Sequence, residues 1–283
     1  MIAFLGMGHL GSNFVKALLK RGEEVHVWNR TAVKAKALEA FGAKAFDDPA
    51  AAVKGANRIH LTLKDDEAVN DILGQASSGF ETGVIIIDHT TTSAQGAAQR
   101  TAQWKSKGVT YIHAPVFMGP QNALESTGTM LVSGDPEIIS KIEPELAKMT
   151  GKVVQLGPQN NKAAGIKLIG NLFLMAMTAG IADALALAKA LGDSPDDVAK
   201  LFDSWNPGAM VPARLKKITS GTFDQPSWEL NMARKDARLM IEQAKQGNVK
   251  LMVIPSIAAE MDKWIDMGHG HNDWTVIAKD AVA

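Results

Sequence analysis

The 283-residue sequence contains no cysteine and a single tyrosine. Without cysteine, disulfides, cysteine nucleophiles and thiolate-ligated metal sites are excluded. Position 115 is proline, so Tyr111 cannot belong to a Tyr-x-x-x-Lys catalytic pair. The N-terminal segment MIAFLGMGHLG lacks the charged region of a signal peptide. We therefore predict a cytoplasmic protein, in keeping with a reducing compartment.

The sequence also has no excess of charge of either sign, because it contains 30 Lys plus Arg and 30 Asp plus Glu residues. A balanced chain without a basic run gives no reason to expect nucleic acid or a membrane surface as a partner. The most apolar stretch, 168–188, contains Asn171 and Asp183 and follows Lys167. A membrane helix requires about 20 apolar residues with few or no charges. We therefore predict a buried helix of a soluble protein.

Short apolar runs alternate with amphipathic helical periods in the first half of the chain. This alternation is typical of a mostly parallel sheet with helices on both faces. The strand candidates are 2–6, 24–28, 58–63, 83–88 and 109–114, and we expect two further runs, 127–134 and 152–157, to extend the same sheet. The helix candidates are 10–21, 31–41, 65–73, 94–107 and 136–149.

The pattern changes after Gly157-Pro158, where only helical periods remain. These helices are predicted at 161–191, 195–204, 230–246, 251–267 and 272–281. The sequence thus predicts two domains, 1–159 and 160–283, of which the second is all-α. The first helix, about 45 Å long at 1.5 Å per residue, is apolar on most of its surface. Such a helix needs cover on all sides, which favours a central helix and a homodimer.

The first strand candidate ends in GMGHLG, with Gly6, Gly8 and Gly11 in G-x-G-x-x-G spacing. Because this motif follows a strand and opens a helix, it predicts a dinucleotide-binding Rossmann domain. Gly6 allows the tight turn, Gly8 lets the pyrophosphate approach the backbone, and Gly11 lets the helix pack on the strand. The helix N-terminus then offers amide donors to the anion. The alternative is a glycine turn that only packs a helix.

The end of the second strand indicates which dinucleotide is bound. NAD sites usually carry Asp or Glu there, about 20 residues after the glycines. This chain has Asn29, Arg30 and Thr31 instead. Arg30 can face a 2′-phosphate, with hydrogen bonds from the other two residues. We predict NADP(H) rather than NAD(H); the alternative is that Arg30 is a solvated surface residue.

Hydride transfer to a carbonyl carbon needs a proton donor for the oxygen, and the segment GIKLIGN, 165–171, contains a candidate. Lys167 and Asn171 are four residues apart and share a helix face among apolar neighbours. Desolvation would lower the pKa of the lysine towards the working pH, and the asparagine would orient it. The alternative is a lysine that extends into solvent from a helix end. No metal site is predicted, because His269 and His271 lie in a Gly-rich turn.

These segments resemble the β-hydroxyacid dehydrogenase family over nearly the whole chain. That family includes 3-hydroxyisobutyrate dehydrogenases and glyoxylate/succinic semialdehyde reductases, and has the NAD-binding domain of 6-phosphogluconate dehydrogenase. The glycine segment carries its N-terminal signature, and VWNRT resembles its NADPH-using branch. Its D-x-S-T, K-x-x-N-N and Lys-Asp motifs appear as 88–91, 167–171 and Lys235-Asp236. The resemblance implies an α/β Rossmann dinucleotide-binding domain followed by an all-α domain, joined by a long interdomain helix, with dimerisation through the latter.

The resemblance also implies site residues. It makes Lys167 the catalytic proton donor, with Asn171 positioning it. The expected cofactor-binding residues are Gly6, Met7, Gly8, His9, Leu10, Gly11, Asn29, Arg30, Thr31, Leu63, Thr91 and Lys235.

The chain departs from the family at 113–119, which reads HAPVFMG where D-A-P-V-S-G-G is usual. The family binds a substrate carboxylate through that serine and the glycine amides. Phe117 and Met118 replace the serine and one glycine, and Gly119 remains, so a carboxylate would be held by fewer donors. We expect these three residues to contact substrate; the alternative is that Phe117 and Met118 pack between domains. The presence of Met118 and Pro120 in this loop resembles the corresponding loop of imine reductases. Those enzymes typically lack the catalytic lysine.

The sequence therefore predicts an NADPH-dependent oxidoreductase acting on a small carbonyl or hydroxy compound, of the 3-hydroxy acid or semialdehyde type, with Lys167 as general acid/base. One alternative is an imine reductase acting on C=N substrates. The other is a non-catalytic NADP(H)-binding protein, although the presence of Lys167, Asn171 and Lys235 together argues against it.

Overall fold

The computed structural model describes residues 1–282 of the protein. By its internal contacts the chain divides into two compact units, the first formed by residues 1–172 and the second beginning at residue 173. Within residues 1–282, all nine strands lie in the first unit, whereas the second unit is helical. The domain boundary near residue 159 stays a prediction.

The first unit is built on a six-stranded parallel sheet with the order β3-β2-β1-β4-β5-β6. Its strands are β1 (Ile2–Leu5), β2 (Val25–Trp28), β3 (Lys44–Phe46), β4 (Arg58–Leu61), β5 (Ile85–Asp88) and β6 (Thr110–His113). Successive side chains of β1 belong to two different apolar clusters, Phe4 to one and Ala3 and Leu5 to the other. Since alternate side chains of a strand point to opposite faces, the sheet is covered on both sides. The predicted fold class is confirmed.

A second, three-stranded sheet contains β7 (Val116–Phe117), β8 (Thr129–Val132) and β9 (Lys152–Gln155). The prediction that 127–134 and 152–157 extend the main sheet is therefore wrong. The chain leaves the main sheet after β6 at Pro115, which has no amide N–H to continue a ladder. It then runs as β7 antiparallel to β8, and β9 pairs parallel to β8.

Seven helices accompany these strands. They are α1 (His9–Lys20), α2 (Ala32–Lys36), α3 (Pro49–Val53), α4 (Asp66–Ala76), α5 (Ala94–Ser106), α6 (Pro120–Glu125) and α7 (Pro136–Ala147). The sequence pattern did not predict β3, α3 and α6, which are all short. The start of α3 nevertheless carries a recognisable sequence signal, Asp48 followed by Pro49. The Asp48 carboxylate accepts from the Ala51 amide at 2.9 Å, and Pro49 occupies the first turn.

The long helix α8 (Lys162–Leu191) leads into the helical unit. The remaining helices are α9 (Pro195–Ser204), α10 (Val211–Ser220), α11 (Leu230–Gln246) and α12 (Ile254–Trp264). Helix α12 begins three residues later than predicted, where the buried Asp183 carboxylate accepts from the amides of Val253 and Ile254 at 2.8 and 3.1 Å. The predicted last helix is a 3₁₀ segment, Trp274–Ala281.

Helix α8 is largely uncovered within this chain. By length and composition it is able to cross a membrane, and only 6% of its most apolar 18-residue window is buried. The prediction of a buried helix is thus wrong for the single chain, because residues 1–282 do not cover its apolar surface. Its exposed large apolar side chains are Leu168, Ile169, Leu172, Phe173, Leu174, Met175, Met177, Ile181, Leu185 and Leu191.

Candidate active site

The glycine loop joins β1 to α1. Gly6 has a φ of +101°, and a Cβ added there would lie 2.2 Å from the Thr62 carbonyl oxygen. A Cβ on Gly11 would lie 2.0 Å from the Gly6 carbonyl oxygen. Around Gly8, in contrast, no atom of residues 1–282 apart from its own backbone and its two chain neighbours lies within 4 Å of an added Cβ. The turn and the close packing therefore require Gly6 and Gly11, while Gly8 leaves the backbone open to an approaching ligand.

Two side chains hold this loop in place. The Asn29 Oδ1 atom accepts from the Met7 amide at 2.9 Å, and its Nδ2 atom donates to the Thr31 carbonyl at 3.0 Å. The Thr62 hydroxyl donates to the Gly6 carbonyl at 2.8 Å. Asn29 thus links the loop to the end of β2. Sequence reasoning missed Thr62, which is recognisable only through its spatial contact with the loop.

A cleft of about 500 Å³ lies beside the loop in the first unit. Arg30, Thr31 and Lys34 line one part of it, and among residues 1–282 Arg30 forms no ion pair. Three acidic side chains also line it, of which Asp65 caps α4 by accepting from the Ala68 amide at 3.0 Å. An open backbone at Gly8 beside basic side chains fits the phosphates of a dinucleotide. Sequence reasoning missed Lys34.

The other expected cofactor residues occupy different environments. Leu63 lines the cleft, and its amide donates to the Thr90 hydroxyl at 2.9 Å. Thr91 is exposed just beyond β5. In the loop, Met7 is buried, His9 exposed and Leu10 half-buried. Lys235 lies on α11 in the second unit, exposed, with its Nζ atom 2.9 Å from the Asp236 carboxylate.

Lys167 lies in the second turn of α8 and is only 8% exposed. Its Nζ atom donates to Asn171 Oδ1 at 2.9 Å and lies 4.1 Å from the centre of the Phe117 ring. No carboxylate within residues 1–282 forms an ion pair with it. Burial lowers the pKa of Lys167 from its usual value of 10.5. This ammonium therefore releases a proton more readily than a solvated lysine, as a general acid requires.

The predicted substrate segment crosses from β7 into α6. Phe117 is the last residue of β7 and is half-buried. Met118 packs against the apolar cluster of the first unit. The Gly119 amide donates to Asn122 Oδ1 at 2.8 Å. The ring of Phe117 contacts Lys167. Contact of these three residues with a substrate stays a prediction.

A pair of buried histidines, His60 and His89, was missed by sequence reasoning. His60 Nδ1 lies 2.9 Å from His89 Nε2, and His89 Nδ1 lies 2.7 Å from the Ala114 carbonyl oxygen. Because a carbonyl only accepts, His89 carries its proton on Nδ1 and its Nε2 accepts from His60. Burial lowers the pKa of His89 to about 4, so both rings are neutral near neutral pH.

Comparison with known proteins identifies the type of enzyme. Residues 1–157, more than half of the chain, match the NAD binding domain of 6-phosphogluconate dehydrogenase. The chain belongs to this family. Residues 169–282 match the C-terminal domain of NADPH-dependent reductive aminase-like proteins. The predicted family and the binding of a nicotinamide dinucleotide are confirmed, and the protein is an oxidoreductase.

Two relatives and one solved structure are similar to this chain over nearly its whole length. A 2-(hydroxymethyl)glutarate dehydrogenase of Eubacterium barkeri is 26% identical, covering 98% of this chain and 93% of the relative. A 3-sulfolactaldehyde reductase of Escherichia coli K12 is 27% identical over 98% and 94%. An imine reductase from Myxococcus stipitatus in complex with NADP⁺ has the same fold, with a TM-score of 0.91 over 99% of both chains at 19% identity.

Proposed function

We propose that the protein is an NADPH-dependent oxidoreductase that transfers hydride between the nicotinamide and the carbonyl carbon of a small carbonyl or hydroxy compound. The observation that carries this proposal is the buried ammonium of Lys167, which Asn171 holds at 2.9 Å and which forms no ion pair with a carboxylate of residues 1–282. When bound, the nicotinamide supplies or accepts the hydride.

Lys167 and Asn171 of α8 divide the remaining work. In reduction, Lys167 gives a proton from Nζ to the substrate oxygen, and in oxidation it takes this proton back. Asn171, one turn further along the helix, accepts one N–H of the ammonium and so fixes the direction of the others. A lysine whose pKa lies below 10.5 is better matched to this task near neutral pH than a solvated one.

The side chains of the cleft support a preference for the phosphorylated dinucleotide. Arg30 and Lys34 bring two positive charges beside Thr31 at the place where NAD sites usually carry a carboxylate. Guanidinium groups bind phosphate through charge-assisted hydrogen bonds. The similar imine reductase was solved with NADP⁺. We extend the same preference to this chain.

The exposed apolar surface of α8 supports a homodimer in which a second copy covers it. Large exposed apolar surfaces are uncommon on monomers and mark contact surfaces. Sedimentation analysis tests the assembly, and a dimer is the expected result. Met175→Glu places a charge on this surface, since Met175 is 71% exposed. The variant should shift the protein towards monomer, whereas Lys200→Glu on α9 serves as an exposed control.

A second candidate function is reduction of C=N bonds. The match of residues 169–282 to the reductive aminase-like C-terminal domain and the fold similarity to an imine reductase favour it. Lys167 argues for carbonyl chemistry, because an amine of lowered pKa suits protonation of an alkoxide oxygen. A third candidate, a protein that binds NADP(H) without catalysis, leaves the burial of Lys167 unexplained.

One substrate panel distinguishes the three candidates. NADPH oxidation is followed with carboxylated aldehydes, uncarboxylated aldehydes and ketones, and cyclic imines. Turnover of aldehydes or ketones with high kcat/KM is expected. Turnover of imines alone would favour the second candidate. Tight NADPH binding without any turnover would favour the third.

A further inference from the structure

Phe117 on β7 and Gly170 on α8 are far apart in the sequence but meet in the first unit. A Cβ added to Gly170 would lie 2.3 Å from Cζ and 2.7 Å from Cε1 of the Phe117 ring. The ring therefore occupies the space of any side chain at position 170. Glycine inside a helix is about 1 kcal/mol less favourable than alanine. Its presence here is explained by the ring it accommodates.

The same ring covers the ammonium of Lys167. The distance from Nζ to the ring centre is 4.1 Å. The face of an aromatic ring carries negative potential, so it attracts a cation and repels an anion. The other partner of the ammonium is the neutral amide of Asn171, at 2.9 Å. On the side of the ring, the positive charge is therefore closed to a carboxylate.

The amide of the glycine that remains in this segment is also engaged. The Gly119 amide donates to Asn122 Oδ1 at 2.8 Å, at the start of α6. A substrate carboxylate that uses the Gly119 amide would have to displace that side-chain oxygen and lie close to the ring of Phe117. An anion that loses water without gaining donors is bound unfavourably. The segment thus disfavours an anion in two independent ways.

We propose that Phe117, seated by Gly170, is the specificity-determining residue of this site. It selects neutral aldehydes or ketones without a carboxylate close to the reacting carbon. This inference rests on the proposed function, because it assigns a substrate class to the Lys167 site. The two positions form one unit, since the ring can cover the ammonium only when position 170 has no side chain.

The experiment compares kcat/KM for succinic semialdehyde and for its methyl ester, in which one added methyl group removes the negative charge of the carboxylate. The wild-type enzyme should prefer the ester by about tenfold or more, equivalent to about 1.4 kcal/mol. Phe117→Ser, which removes the ring and adds a donor, should move this ratio towards the acid by about tenfold or more. Phe117→Leu, which is apolar but lacks the ring face, should lie between them.

Gly170→Ala tests the unit itself. The added methyl group displaces the ring, so it should move the ratio in the same direction as Phe117→Ser. In the Phe117→Ser variant, Gly170→Ala should have little further effect, because the ring that the added methyl group would overlap is absent. A double-mutant cycle measures this coupling. NADPH binding and circular dichroism verify that each variant is folded.

Three results would count against the inference in different ways. Wild-type preference for the acid, or a ratio unmoved by Phe117→Ser, would show that the ring does not set specificity. Additive effects of the two substitutions would show that they are not one unit. Absence of turnover with both compounds would contradict the proposed function, and this inference with it.

Discussion

The glycine loop and the lysine site differ in what holds them together. The loop is shaped by backbone contacts, since the missing side chains of Gly6 and Gly11 make room for the carbonyl oxygens of Thr62 and Gly6. The lysine site is shaped by side chains, with the ring of Phe117 lying against Lys167. The geometry of a site shaped by the backbone can be predicted from a short local motif. The chemistry of a site shaped by distant side chains depends on which residues the fold brings into contact.

The largest expected effect comes from filling the space at Gly11. The β-branched side chain of Gly11→Val would overlap the Gly6 carbonyl and the Thr62 hydroxyl, both within 2.4 Å of the added Cβ. Overpacking of this kind costs about 3 kcal/mol or more when the backbone cannot shift. Urea unfolding should show this loss of stability, together with loss of dinucleotide binding.

The matched control is Gly8→Ala, where no atom of residues 1–282 apart from its own backbone and its two chain neighbours lies within 4 Å of the added Cβ. Its unfolding free energy should change by about 1 kcal/mol or less, since Gly8 only precedes α1. Dinucleotide binding should still weaken, because the methyl group projects into the open side of the loop. Equal losses of stability in both variants would contradict the different roles given to the two glycines.

The next effect concerns the lysine site. Lys167→Ala should lower kcat by about 100-fold or more, or about 2.7 kcal/mol, because it removes the proton donor. NADPH affinity should remain, since the glycine loop is untouched. Lys162→Ala, at the exposed start of the same helix, is the control. A loss of less than about tenfold for Lys167→Ala would rule out a central role.

A smaller effect involves the histidines that link β4, β5 and the segment before β7. The folded pKa of His89 is about 4, below its usual 6.5, so the folded state favours the neutral ring. This contribution to stability is present above pH 6.5 and is lost as the pH falls towards 4, because the unfolded chain takes up the proton first. We expect a loss of about 2 kcal/mol between pH 7 and pH 5.

Urea unfolding at a series of pH values measures that slope. His89→Gln keeps a donor and an acceptor but does not titrate, so its stability should depend less on pH over the same interval. His60 and His113 also have lowered pKa values through burial, and they leave some slope in the variant. An unchanged slope would mean that the pKa of His89 is the same in the folded and unfolded chains, so that burial does not lower it.

Prediction from the sequence succeeded where the deciding contacts are local. The parallel sheet followed from apolar runs of strand length, and the shared helix face of Lys167 and Asn171 followed from their spacing of four. It failed for 127–134 and 152–157, because only the break at Pro115 separates their sheet from the main one. It also gave no reason for Gly170, whose partner is one residue of a distant strand. The exposure of α8 could not be predicted either, since it depends on what the rest of the chain leaves uncovered.

The smallest expected effect concerns Arg30, in the cleft beside the glycine loop. Arg30→Ala should weaken NADPH binding by about tenfold, or about 1.4 kcal/mol, because it removes a charge-assisted contact to the 2′-phosphate. NADH binding should change by less than about twofold, since NADH lacks the 2′-phosphate that Arg30 would contact. Fluorescence titration of one variant with both cofactors supplies its own control. Equal weakening of the two would mean that Arg30 supports the loop rather than the phosphate, and that the cleft beside it does not select the dinucleotide.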